Sequence, residues 1–417
     1  MKRHRSFTRY VLLSGLTGLV FLFIFLIPKG AHPLQEERPQ HPEGLIAHVA
    51  PPLPAEAQDF IRFMEQELDS SETVGAAYAM VQGGEVLYQA TYGVRRYGEP
   101  ARVDEHTVFR LASVSKGFAG ALACILEEDK VFSLDDRVRD LYPGFHLRDS
   151  VSTEDMTLRH LLSHSTGLVP YAFDNLVEAG IPLSQIIDRL SEVDISGKPG
   201  SVYGYQNVMF SMLDPIIRRS TGRPYEVEIQ QHIFGPLGMG DASAGPMKAS
   251  QRENMAYPHV ASRNGFVALD PHEGYYNVSA CRRRQCQHHR HEPLAVGVAG
   301  TRAEPLSEAV RNGVTTPVIY TPLKARYTRN WEAFQERYYS LGWRIYFYKG
   351  RKIMYHGGYI RGYRAEIGFC PEEDLGVVFL QNSPNGLAAQ CVPAFFDRYF
   401  DARDAAVAGE EMLHSAP

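Results

Sequence analysis

The chain has 417 residues, 43 lysines and arginines against 48 acidic residues for a formal net charge of -5, and a hydrophobic share of 44%. This is the composition of a globular protein with enough chain for a large core. It offers no broad basic surface to neutralise phosphates, so nucleic acid is not an expected partner.

The N-terminus opens on MKRHRSFTRY, with Lys2, Arg3, Arg5 and Arg9, and continues into VLLSGLTGLVFLFIFLIP. A cationic start before an apolar run of about seventeen residues suits a membrane-inserting helix with its charged end in the cytoplasm. A cleaved secretory signal is the alternative, but the run is long for a signal core and no small-x-small site follows it before Pro28 and Lys29. Residues 1–29 are therefore expected to anchor the chain in a membrane or direct its export, placing the body outside the cytoplasm. The stretch 30–56, rich in Pro, Glu, Gln and His, has the composition of an extended linker. The body is expected over 57–402, with a disordered tail over 403–417. Five cysteines, an odd number, do not suggest a disulfide framework, although a Cys370–Cys391 pair is left open.

After a short helical pattern over Ala57 to Leu68, VGAAYAMVQGGEVLYQATYGV alternates on both sides of Gly83 and Gly84, the pattern of a β-hairpin. Near the other end, RAEIGFC and LGVVFLQN flank PEED in the same manner. Two hairpins separated by a long helical middle predict an α+β fold, with an antiparallel sheet drawn from both ends of the chain and helices packed on it.

Three segments carry chemistry. In FRLASVSKGFAGALACILEE, Ser113 and Lys116 stand three apart at the start of an apolar helix, nearly one turn, so hydroxyl and amine share a face. A buried lysine whose neutral form is favoured can activate a serine, and a helix start supplies free N–H groups and a field favouring negative charge. The same letters also describe a helix start followed by an exposed lysine. In PGSVYGYQN, Tyr205 and Asn207 follow a Pro-Gly turn; a phenol can relay a proton and an amide can orient a substrate carbonyl. In MYHGGYIRGYRAEIGF, His356, Gly357 and Gly358 open an extended stretch. Paired glycines there would admit a substrate to a strand edge, with the N–H of Tyr359 joining that of Ser113 in an oxyanion hole.

These three elements, in this order, resemble the serine β-lactamase and penicillin-binding-protein superfamily, in its class C β-lactamase-like branch. Ser113-Val114-Ser115-Lys116 matches the Ser-x-x-Lys motif, Tyr205-Gln206-Asn207 the Tyr-x-Asn motif, and His356-Gly357-Gly358 the Lys-Thr-Gly position in its His-x-Gly form; LLSHSTGLVPY matches a further stretch typical of the branch. The resemblance covers about Glu72 to Tyr399 and implies a β-lactamase/transpeptidase-like fold with a helical subdomain. It implies an acyl-enzyme on Ser113, acid–base work shared by Lys116 and Tyr205, substrate binding by Asn207, His356, Gly357, Gly358 and Tyr359, and no cofactor or metal. Histidine where class C β-lactamases carry a fixed lysine tilts the expectation from antibiotic hydrolysis towards a small ester or amide or a D-amino-acid peptide of the peptidoglycan type. A β-lactamase, or an envelope scaffold that has lost turnover, are the competing functions.

One stretch departs from the pattern. After GYYNV the branch continues with Ala-Gly-Val, small residues, Asp-Met and Arg-Trp-Leu, whereas this chain has ACRRRQCQHHRHEPLAVGVAG from Ala280 to Gly300. Its cysteines and histidines could suggest metal binding, but no paired ligand knuckle follows. Back-translated with a suitable choice among the permitted codons and read one nucleotide later, Arg282 to Val298 can spell AGVNASITDMSRWLWAL, the absent segment. The inferred origin is a compensated frameshift, opened between Ser279 and Arg282 and closed near Gly300. Deep sequencing of the locus is expected to return the shifted reading; an error-free in-frame series of codons from Arg282 in a functional strain would refute it.

Overall fold

Alternating segments from the two ends of the chain meet in one antiparallel sheet. The computed structural model describes residues 45–49, 52–245, 253–271, 285–287, 306–322, 331 and 334–414, all within one compact unit, His41–Pro417. The N-terminal apolar run lies outside the described residues, as does most of Ala280–Gly300. Among the described residues, no helix is long and apolar enough to cross a membrane.

Among the described residues the sheet has nine strands, in the order β1-β3-β2-β13-β12-β11-β10-β9-β8 with strands numbered along the chain. Its first half comprises β1 (Ile46–Val49), β2 (Gly75–Gln82) and β3 (Glu85–Gly93). Gly83 and Gly84, with φ of 59° and 74°, supply the left-handed turn of the predicted hairpin. β4 (Val108–Arg110), β5 (His259–Ser262), β6 (Gly265–Ala268) and β7 (Gln285–Gln287) form two separate ribbons, β4 with β7 and β5 with β6. The second half of the sheet runs through β8 (Ile319–Tyr320), β9 (Phe334–Tyr339), β10 (Arg344–Tyr348), β11 (Arg351–Ile360), β12 (Tyr363–Cys370) and β13 (Leu375–Gln381). β13 pairs with β2, joining the halves.

Two cores lie on the two faces. On one, α1 (Ala55–Ser70) buries Phe60, Met64 and Leu68, a stripe at helical spacing. They join Phe395, Phe396 and Tyr399 of the C-terminal helix in one apolar cluster with β2 and β13. On the other face lies α2 (Ser115–Glu128), followed by short helices that include α3 (Asp174–Glu178), α4 (Asn207–Ser211) and α5 (Leu213–Thr221). Their Leu161, Leu162, Val208, Met209, Ile216 and Ile217 share one cluster with Trp343, Ile345 and Ile367 of the sheet side. α6 (Glu308–Thr315) lies against α2, and α7 (Leu387–His414) closes the chain.

Two expectations change, and the open question of the Cys370–Cys391 pair is answered. Ile46–Val49, placed in the linker by composition, pairs with β3 as an edge strand. Residues 403–414, expected to be disordered, continue α7: Arg403 bonds Glu373, and Arg351 holds both Glu373 at 2.8 Å and Asp404 at 2.5 Å. These ion pairs tie the helix at Arg403 and Asp404 to the start of β11 and to the turn between β12 and β13. Cys370 and Cys391 are both buried free thiols.

The helix α2 sits on the sheet through glycine. A methyl carbon at Gly117 would come within 2.4 Å of the Trp343 ring, and one at Gly120 within 1.9 Å of the Leu341 carbonyl oxygen. Gly342, at φ 82°, would in turn press on the Lys116 carbonyl at 2.1 Å. Gly120→Ala is therefore expected to lower stability by about 1–3 kcal/mol through overpacking, while Gly240→Ala, where the added carbon meets nothing within 4 Å, costs nothing measurable. Denaturant midpoints of the two variants check this.

Candidate active site

The chain enters the site through a strained turn. Ala112 takes φ 48° immediately before Ser113, and the backbone then winds through a short 3-10 turn, Ala112–Val114, into α2. A non-glycine residue held left-handed beside a candidate nucleophile is the kind of strain that persists where surrounding packing over-determines it. Lys116, one turn on, is fully buried, and Ser113 nearly so.

The Tyr205–Asn207 segment is zipped onto the turn of LLSHSTGL. His164, left-handed at φ 56°, accepts the Gly204 N–H on its carbonyl at 2.8 Å and the Gln206 N–H on its Nδ1 at 3.2 Å. Tyr205 in turn accepts the Tyr171 N–H on its carbonyl at 2.8 Å. The His164 ring lies 4.1 Å from that of Tyr205, centroid to centroid. Burial, with Lys116 and His356 nearby, pushes the His164 imidazole well below the usual histidine range, consistent with a neutral ring that accepts on Nδ1.

Lys116 is the hub. Its Nζ donates to Asn207 Oδ1 at 2.9 Å and stands 4.8 Å from the Tyr205 ring centroid and 5.3 Å from that of Phe210. The amine, the phenol and the amide expected from sequence thus share one buried cluster.

β11 completes it. A side-chain carbon at Gly358 would lie 2.0 Å from the Leu111 carbonyl and 3.3 Å from the Ser113 nitrogen, so only glycine lets the strand pass in backbone contact with the nucleophile turn. β10 pairs with β11 only as far as Tyr355, and β12 takes up the other side as far as Ile360. Beyond Tyr355 the described pairings leave one edge of β11 towards the site, where Tyr359, 57% exposed, marks the rim.

Two residues expected to contact substrate have their side-chain positions directed away from Ser113 or buried behind the cluster. Gly357 faces away from Ser113, where a side-chain carbon would meet Glu366 at 2.7 Å and the Tyr355 hydroxyl at 2.9 Å. It makes room for that buried pair, in which Tyr355 donates to Glu366 at 2.6 Å. His356, expected to line the pocket, is 0% exposed. Its Nδ1 faces the Gly357 carbonyl at 3.0 Å, which can only accept, so Nδ1 carries the proton and Nε2 accepts from the Tyr339 hydroxyl at 2.9 Å. Burial, then Arg344 and Lys116, hold this ring well below the usual histidine range. His356 supports Tyr339 from behind and supplies no cation.

The sequence pattern left Arg344, Tyr339 and Asp174 without a role. Arg344 is half-buried. Its guanidinium carbon lies 5.6 Å from the Tyr205 ring centroid and 5.8 Å from that of Tyr339, and its Nη1 donates to the Tyr203 hydroxyl at 3.4 Å. It makes no ion pair with a described residue. Asp174 accepts from Asn207 Nδ2 at 2.7 Å. Neither belongs to a motif of short spacing, and only the fold brings them to Tyr205 and Asn207. Among the described residues, no cluster of His, Cys, Asp and Glu could hold a metal ion.

Comparison with known proteins places this arrangement. The chain is 30% identical over 200 residues to penicillin-binding protein 4* of Bacillus subtilis, covering 46% of this chain and 43% of that protein. It is 30% identical over 211 residues to esterase EstB of Burkholderia gladioli, covering 47% and 52%. It is 26% identical over 359 residues to the unguisins hydrolase ungD of Aspergillus violaceofuscus, covering 78% and 61%. The chain thus spans about half the length of these curated relatives. In fold it is similar to the octameric penicillin-binding protein homologue from Pyrococcus abyssi, with a TM-score of 0.70, 22% identity, and coverage of 84% of this chain and 77% of that one. The beta-lactamase family model matches residues 60–398. That match runs over most of the chain, and with the antiparallel sheet and its helices it means that the chain belongs to the beta-lactamase family.

Proposed function

We propose that the chain is an exported hydrolase that forms an acyl-enzyme on Ser113 with a D-amino-acid peptide bearing a free C-terminal carboxylate. The observation that carries the choice of substrate is Arg344, a guanidinium without an ion-pair partner among the described residues, beside the ring of Tyr205. His356, neutral and buried, supplies no charge for a substrate carboxylate. A planar guanidinium suits a carboxylate bidentately and stays charged at any working pH. Export rests on the cationic start and apolar run of residues 1–29, which would also tether the body to the membrane.

In this reading the Ser113 hydroxyl attacks the scissile carbonyl, with its proton passing to the Lys116 and Tyr205 pair. The N–H groups of Ser113 and Tyr359 take the oxyanion. The leaving amine receives a proton through Tyr205, and water then hydrolyses the Ser113 ester by the reverse path. Asn207 orients the acyl side. No step needs a cofactor.

A peptide ending in D-alanyl-D-alanine should be cleaved and its C-terminal amide left largely untouched. Arg344→Gln should remove that preference by lowering kcat/KM for the acid roughly ten- to hundredfold, the worth of a hydrogen bond to a charged group. Given to intact cells, the same peptide, which does not cross a membrane, should be cleaved outside. Equal turnover of acid and amide by the wild type would overturn the carboxylate reading and favour an ester or amide hydrolase; cleavage only after lysis would overturn export.

A further inference from the structure

We infer that Asp174 is a positioning residue for acyl transfer, fixing the orientation of the Asn207 amide and through it the place of the Lys116 amine. The inference rests on the reading of Ser113 as nucleophile and deepens it. Three groups lie in series: Lys116 Nζ donates to Asn207 Oδ1 at 2.9 Å, and Asn207 Nδ2 donates to Asp174 Oδ2 at 2.7 Å. An amide side chain has two faces of opposite character, and rotation by half a turn about its last bond exchanges them. Flipped, Asn207 would turn its NH2 towards the Lys116 ammonium, two donors face to face. An ionised carboxylate only accepts, so Asp174 admits one orientation, the one that offers Oδ1 to Lys116. Its charge also makes the bond to Asn207 a charge-assisted one, the stronger kind.

The loop before Asp174 is a second, independent observation. Tyr171 and Phe173 both take left-handed backbone, with φ of 60° and 61°, a conformation that aromatic residues rarely adopt. Two such residues within three positions are held where the Tyr171 N–H reaches the Tyr205 carbonyl at 2.8 Å, with the two rings 5.5 Å apart. The same turn starts α3 with Asp174 as its first residue. One strained loop therefore grips both halves of the Tyr-x-Asn segment, Tyr205 by the backbone and Asn207 by the side chain. Strain of this kind gathers where geometry serves the chemistry.

Asn207 and Lys116 are almost without exposure, so water has little room to replace the lost acceptor. Removing Asp174 frees the amide to flip and lets Lys116 drift from the nucleophile. Small misplacements of a catalytic group carry large rate losses, of about a hundredfold for an ångström.

The test is the rate at which a fluorophosphonate labels Ser113 in the wild type, Asp174→Ala, Asp174→Asn, Asn207→Ala and the Asp174→Ala/Asn207→Ala double variant, with thermal midpoints taken on the same samples. We expect Asp174→Ala to label roughly 10- to 100-fold more slowly. Asp174→Asn, whose amide oxygen can still accept, should recover part of that rate, and the double variant should be no slower than Asn207→Ala alone, because the two residues act on one bond. On a turned-over ester, kcat should fall with KM little changed. Labelling of Asp174→Ala at the wild-type rate, or losses that multiply in the double variant, would overturn the positioning role while leaving Ser113 as nucleophile. A folded wild type that no serine probe labels would overturn the acyl-enzyme reading and this role together. If Asp174→Ala proves unfolded, Asp174→Asn against the wild type, alone and with Asn207→Ala, carries the same comparison.

Discussion

The site depends on glycine backbone lying directly against its neighbours where α2 and β11 meet the rest of the fold. Gly117 and Gly120 present α2 to Trp343 and Leu341 without side chains between them, Gly342 returns the contact against the Lys116 carbonyl, and Gly358 brings β11 against Leu111 and the Ser113 nitrogen. Each contact sits at a distance that a single added carbon would violate. Together they fix Ser113 and Lys116 relative to a strand edge, as the proposed acyl transfer would require of a nucleophile, a base and oxyanion donors that need no rearrangement as charge develops. The apolar clusters on either face of the sheet supply bulk stabilisation, while these glycines set the register between the two layers.

Around that frame the charges are arranged with one sign in excess. Lys116 and Arg344 stand near the Tyr205 ring, while His164 and His356, packed into the same cluster, are held neutral by burial and by those cations. Two histidines that would otherwise add positive charge serve as uncharged hydrogen-bond partners: His164 accepts from the backbone of Gln206, and His356 accepts from Tyr339. In the proposed reading the substrate then meets the Arg344 guanidinium, the Lys116 amine and a set of oriented dipoles. A carboxylate-bearing substrate complements that pattern, and Asp174 supplies a counter-charge at one remove, through Asn207.

Much of this was legible in the sequence, and the reason is local. Ser113 with Lys116, Tyr205 with Asn207, and the glycines beside His356 are each close in the chain, so spacing alone indicates shared faces and close approach. The hairpin around Gly83 and Gly84 and the sheet built from both termini followed from alternation and turn residues. What stayed hidden depends on tertiary placement. Nothing near Arg344 in the chain marks it as a neighbour of Tyr205, and Asp174 follows a loop whose conformation no propensity favours. The motif position of His356 suggests a substrate contact, and only the fold shows that its ring is buried and bonded to Tyr339. The edge strand at Ile46–Val49 and the last turns of α7 were misjudged because polar composition masked a pairing partner in β3 and ion pairs to Arg351 and Glu373.

The most direct measurement of the central claim is the intact mass of the purified protein after incubation with a fluorophosphonate and, separately, with a fluorescent penicillin, for the wild type and for Ser113→Ala. The account predicts one covalent adduct on the wild type, mapped by peptide mass to Ser113, and none on the alanine variant. An adduct that persists in Ser113→Ala, or a folded wild type that takes up neither probe, would contradict it.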